Sequence, residues 1–202
     1  MKVVVFDCDG VMFDTIRVNT EYYNRILARL GKPAMTPDQF AFVHKHTVAE
    51  GMRHLFPDPA ELKAALSFRS DINYRDLIPF MEMEPSLKPL LTRLKPRYQT
   101  AIATNRSDTM PLILSLHGLE DAFDCVVTAL DVSRPKPDPE GLEKIQHHFG
   151  VDAGEMIYIG DTVFDQQAAM AAGVPFVAYG DPALDADLHI SALSELMPLL
   201  VT

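Results

Sequence analysis

Val3-Val4-Val5-Phe6-Asp7-Cys8-Asp9-Gly10-Val11 is a continuous apolar run that stops abruptly at two carboxylates. Such a short, β-branched, non-alternating run has the pattern of a strand covered on both faces, as in a parallel sheet. Four later stretches share it: Thr100 to Thr104, Cys125 to Ala129, Met156 to Ile159 and Pro175 to Tyr179. The segments between them carry helical spacing and end at Gly118, Gly150 and Gly173, where a helix C-cap is expected. This strand and helix alternation predicts a doubly wound, Rossmann-like α/β core around a parallel five-stranded sheet.

Between the first two strands lies an interval far longer than the dozen or so residues of a simple crossover. Its sequence is helical throughout. Ile16 to Leu30 ends at Gly31, and Thr36-Pro37-Asp38-Gln39 and Asp58-Pro59-Ala60-Glu61 both have capping-box spacing. The expected organisation is therefore an α/β core of residues 1–14 and 85–202, with residues 15–84 as an inserted helical domain.

The chain has 202 residues, 48% of them hydrophobic, and 18 basic against 28 acidic groups, for a net charge of −10. That field repels polyanions, which argues against a nucleic-acid partner. A small anion remains acceptable where a lysine, helix N-terminus or cation makes a pocket locally positive. Cys8 and Cys125 form no close pair and fit buried strand thiols. The first apolar run is too short for a signal segment or a membrane span, and the expectation is a cytoplasmic protein with no membrane partner.

In open α/β sheets, ligands bind beyond the carboxyl ends of the strands. There the sequence places Asp7 and Asp9, then Thr104 and Asn105 followed by Arg106, then Lys136 between two prolines, and finally Gly160-Asp161 with Asp165. Singly, each carboxylate has an ordinary explanation as a helix cap. Together, Asp7, Asp9 and Asp161 would repel one another in a partly buried site unless a divalent cation joined them, and all-oxygen Asp ligands suit Mg2+. Thr104, Asn105 and Lys136 offer a hydroxyl, an amide and a point charge for a phosphoryl group.

These four segments, in order and type, resemble the motifs of the haloacid dehalogenase superfamily. The helical insertion resembles the cap of its branch containing phosphoglycolate phosphatases and β-phosphoglucomutases. The resemblance implies a phosphatase acting on a small phosphorylated metabolite. Asp7 would be the nucleophile that forms an aspartyl phosphate, and Asp9 the general acid and base. Asp7, the Asp9 carbonyl and Asp161 would hold Mg2+, with Asp165 a ligand through water or an orienting group, and Thr104, Asn105 and Lys136 would bind phosphate. Asp9 argues against dehalogenases and phosphonatases, which lack an acid there. Asn19 stands where the mutases carry a histidine, which favours hydrolysis over a sugar-phosphate mutase. A non-catalytic phosphate-binding interaction protein is a third reading, opposed by the full set of motif residues.

Substrate choice would rest with the inserted domain. His44, Lys45 and His46 form a cationic cluster between two helical stretches, and Arg17 and Asn19 lie on its first helix. These residues either meet the leaving group or form solvated helix surface. Arg106 faces either the cap or solvent.

Overall fold

A computed structural model describes residues 1–200. The strands are β1 (Val3–Phe6), β2 (Phe13–Asp14), β3 (Glu82–Met83), β4 (Gln99–Ala103), β5 (Cys125–Val127), β6 (Met156–Gly160), β7 (Phe176–Tyr179) and β8 (Leu188–Ile190). The helices are α1 (Ile16–Arg29), α2 (Pro37–Lys45), α3 (Val48–Leu55), α4 (Pro59–Arg69), α5 (Leu87–Leu94), α6 (Met110–Leu116), α7 (Glu140–Phe149), α8 (Val163–Ala172) and α9 (Leu196–Leu200). The chain divides into two compact units, Met1–Phe13 with Met83–Thr202, and Asp14–Glu82.

The first unit is built on a six-stranded sheet of order β5-β4-β1-β6-β7-β8, parallel throughout. β1 lies inside it, with Val5 beside Ala101 of β4 and Tyr158 of β6. All four residues of β1 are fully buried, as its uninterrupted apolar sequence requires. On one side of the sheet, Val3, Val5, Ala101 and Tyr158 share a core with Leu142 and Ile145 of α7 and Ala168 and Ala169 of α8. α5 buries Leu87, Leu90, Leu91 and Leu94 and packs on β4. The strand order runs outward from β1 to β5, then returns to β6 on the other side of β1. That reversal is the switch point where a doubly wound sheet opens a crevice at its carboxyl edge.

The sheet has six strands where the sequence predicts five. The added strand, β8, is a three-residue edge strand containing exposed His189 and half-buried Leu188. An edge strand needs no continuous apolar run, so its sequence carries little signal. Cys8 lies just past β1, not within a strand, and Cys125 in β5 is half-buried.

The second unit contains α1 to α4 around its own core of Tyr23, Ile26, Leu27, Val43, Met52, Leu55 and Phe56. Thr36 and Thr47 each close a reciprocal capping box, with Gln39 and Glu50, and Asp58 accepts from the N–H groups of Ala60 and Glu61. Among the described residues, no helix is long and apolar enough to cross a membrane.

Candidate active site

The carboxyl ends of β1, β4 and β6 are adjacent, so the residues that follow them meet. Asp7, 6% exposed, continues β1 through a bond from its N–H to the Ile159 carbonyl at 2.9 Å. Its Oδ1 accepts from the Cys8 N–H at 2.7 Å and pairs with Lys136 Nζ at 2.9 Å. The chain then folds back, with the Met12 and Phe13 N–H groups donating to the Cys8 carbonyl and Gly10 donating to Phe13. Gly10 has φ +84°, and a Cβ there would lie 2.0 Å from Asp161 Oδ2. Glycine is needed both for that backbone conformation and for the close approach of Asp161.

Lys136 is the hub. Besides Asp7, its ammonium meets Asp165 Oδ1 at 2.5 Å, the Tyr158 hydroxyl at 2.8 Å and the Ala103 carbonyl at 3.2 Å. Burial disfavours its charge, but Asp165 and Asp7 outweigh that and raise its pKa above the ordinary lysine range. Asp165 is fully buried, and both of its oxygens accept from the protein: Oδ2 from the Thr162 N–H and hydroxyl, Oδ1 from Lys136 and the Tyr158 hydroxyl. Burial alone would raise the Asp165 pKa, but Lys136 and these donors bring it below the usual value.

Asp161 has the opposite environment. Its Oδ1 is enclosed with no hydrogen-bond partner, and burial, then Asp165 and Asp7, push its pKa up to about 9. Burial also raises Asp7, to about 7, against the opposing pull of Lys136. Asp7, Asp161 and Asp165 offer oxygens all within 4.8 Å of one another, the one such acidic group identified among the described residues. Three carboxylates facing one lysine, with one oxygen orphaned, fit a hard divalent cation on Asp7 and Asp161. Asp165, saturated by protein donors, is suited to orient Lys136.

Thr104, 6% exposed, accepts the Arg106 N–H on its Oγ1 at 3.2 Å. Asn105 was expected to face phosphate. Its amide clamps the Lys136 backbone, donating to the carbonyl at 3.0 Å and accepting from the N–H at 2.9 Å. A primary amide matches a peptide unit in this two-pronged way, so Asn105 holds the Lys136 backbone in place. Asp9 directs its carboxylate to Arg106, whose Nε donates to Oδ2 at 3.0 Å and whose Nη2 donates to Oδ1. Arg106 is therefore buried on Asp9 and does not lie in solvent.

Arg106 and Tyr158 were not singled out by the sequence as site residues. A tyrosine in an otherwise apolar, fully buried strand is the available signal for Tyr158, because its hydroxyl must find a partner. For Arg106 the only signal was its position beside Thr104 and Asn105.

The remaining candidates lie in the helical unit. Asn19 Nδ2 and His44 Nδ1 are 3.2 Å apart, and His44 stacks on Phe40. His46 stacks on Phe42 and bonds its carbonyl through Nδ1 at 2.8 Å. Lys45 is exposed at the end of α2. Arg17 lies over Phe80 and 3.8 Å from Glu82 Oε1.

A family model described as haloacid dehalogenase-like hydrolase matches residues 4–179. A phosphoglycolate phosphatase of Cupriavidus necator is 31% identical, over 98% of this chain and 92% of that protein. A haloacid dehalogenase-superfamily hydrolase of Geobacter sulfurreducens, solved by crystallography, is 39% identical with TM-score 0.82, covering 99% of this chain and 96% of that one. A β-phosphoglucomutase of Clostridium difficile, 18% identical, shares the fold at TM-score 0.86 over 100% of this chain and 95% of its own.

Proposed function

The chain belongs to the haloacid dehalogenase-like hydrolase family, and we propose that it is a Mg2+-dependent phosphatase that forms an aspartyl phosphate on Asp7. The substrate is a small phosphorylated metabolite. Phosphoglycolate is the first candidate, since that is what the similar enzymes of Cupriavidus necator and Aliivibrio fischeri are named for.

An oxygen of Asp7 attacks phosphorus in line, and the bond from phosphorus to the ester oxygen breaks. Asp9 gives that oxygen its proton, and the alcohol leaves. Asp9 then takes a proton from water as the water attacks phosphorus, releasing inorganic phosphate and restoring Asp7. Lys136, kept cationic by Asp165 and Asp7, counters the charge on the transferring oxygens, and the Thr104 hydroxyl donates to the same group. Asn105 and Tyr158 hold Lys136 in place. Asp7, the Asp9 carbonyl and Asp161 would hold Mg2+, which supplies Lewis-acid stabilisation of the phosphoryl charge when bound. Residues 15–84 act as the cap that selects the alcohol, with Arg17, Asn19, His44, Lys45 and His46 as its candidate contacts. The free thiols of Cys8 and Cys125 suit the reducing cytoplasm.

The observation that carries this reading is the joint approach of Lys136 to Asp7 with the unpartnered Asp161 oxygen among the same carboxylates. The test is phosphate release from phosphoglycolate and a panel of sugar and polyol phosphates, with and without millimolar Mg2+. Release that requires the cation and disappears in Asp7→Asn is the expected result. No release from any ester, or an Asp7→Asn variant that keeps most of the activity, would contradict it.

A further inference from the structure

Arg106 is a buried cation that takes no part in the steps above. It is 9% exposed and is held at several points: its N–H by Thr104 Oγ1, its carbonyl by the Ala129 N–H at 2.9 Å, and its Nη1 by Thr109 Oγ1 at 3.0 Å. From this anchorage its Nε and Nη2 reach the two different oxygens of Asp9. A guanidinium that engages both oxygens fixes the rotation of the carboxyl plane as well as its position, which a single contact or a point charge does not. The fork takes one lone pair on each oxygen of a group offering about four, so holding the carboxylate and exchanging a proton with it are compatible. The anchor is also the site's own strand end, since Thr104 is both the partner of the Arg106 backbone and a proposed phosphate contact.

We propose that Arg106 is a positioning residue for catalysis, setting the Asp9 carboxylate where it can protonate the leaving oxygen, and that it acts through Asp9 without touching the substrate. Burying an ion pair is a weak source of stability, because desolvation offsets most of the attraction. Fixing an acid relative to phosphorus has a direct return in rate. The proposal rests on the general-acid role given to Asp9 above.

The test compares kcat/KM for two esters at saturating Mg2+: the best aliphatic phosphate of the panel, whose alkoxide must be protonated, and p-nitrophenyl phosphate, whose phenolate leaves without help. Asp9→Asn and Arg106→Met are each expected to lose about 100-fold on the aliphatic ester and less than about 5-fold on the nitrophenyl ester. On the aliphatic ester KM should hold within about 3-fold, placing the loss in kcat, while on the nitrophenyl ester the slower water step lowers kcat and KM together and leaves kcat/KM nearly unchanged. Arg106→Lys keeps the charge without the fork and should recover only part of the aliphatic activity, with the same selectivity. It carries the test if Arg106→Met fails to fold. Adding Arg106→Met to Asp9→Asn should cost nothing further. Selective loss in Asp9→Asn with uniform loss in the Arg106 variants, or a change confined to KM, would overturn the role of Arg106 and leave that of Asp9 standing. Equal loss on both esters in Asp9→Asn would overturn the Asp9 role, and this proposal with it.

Discussion

Asp161→Asn should make the metal-free protein more stable while removing its response to Mg2+. Burial and the neighbouring Asp165 and Asp7 raise the Asp161 carboxyl from 3.8 to about 9. Between those values the folded chain binds more protons than the unfolded one. This group's contribution to stability is therefore fully present below 3.8 and is lost as pH rises toward 9. At pH 7 about 3 pH units of that window have been crossed, and at about 1.4 kcal/mol per unit the ceiling is about 4 kcal/mol. Asp161 is only half-buried overall, so solvent reduces the figure to about 1 to 2 kcal/mol. Asparagine ionises in neither state and escapes the penalty. For a chain of this size the melting temperature of the metal-free variant should rise by roughly 3 to 6 °C. Wild type should overtake it when Mg2+ is added, gaining about 2.7 kcal/mol at a hundred times the dissociation constant, while the variant gains nothing. Paired thermal melts with EDTA and with Mg2+ read both halves. A metal-free Asp161→Asn that melts below wild type, or one that keeps the full Mg2+ gain, would refute the assignment of the orphaned oxygen to a cation.

Three further outcomes are expected. Asp7 and Asp161, raised to about 7 and about 9, must shed protons before a cation binds. Mg2+ affinity should therefore climb from about pH 6 to about pH 9 with proton release, measured by calorimetry in buffers of different ionisation enthalpy, and a flat profile would contradict this. Gly10→Ala should abolish the Mg2+-dependent gain in melting temperature, because its Cβ falls on Asp161 Oδ2. Gly150→Ala, with φ +61° but open space around it, should lose only about 1 kcal/mol of stability and keep its activity. Asn105→Ala should lower kcat by about 10-fold or more through displacement of Lys136, with a stability loss of about 1 to 2 kcal/mol read by urea unfolding. Unchanged kcat would show that Lys136 does not need its clamp.

Much of this protein was legible in the sequence because the relevant physics is local. Val3-Val4-Val5-Phe6 is a buried parallel strand by its own composition, and the Thr36 and Asp58 caps close within three residues. The glycines at 118, 150 and 173 adopt the positive φ that helix ends favour. β8 escaped detection because an edge strand can be short and polar, and Tyr158 because a partly apolar ring hides its hydroxyl inside a core pattern. The sequence also determined which carboxylates follow strands, since that depends only on where each apolar run stops. Which partner each carboxylate takes was decided by the tertiary structure. Asp9 and Arg106 are 97 positions apart, Asn105 and Lys136 are 31 apart, and Lys136 and Asp165 are 29 apart. They meet because the sheet order places β1 between β4 and β6, so that groups with no local relation share one low-dielectric crevice. There a few ångströms separate the saturated Asp165 from the orphaned Asp161, a difference of hydrogen-bond geometry that no spacing in the chain encodes.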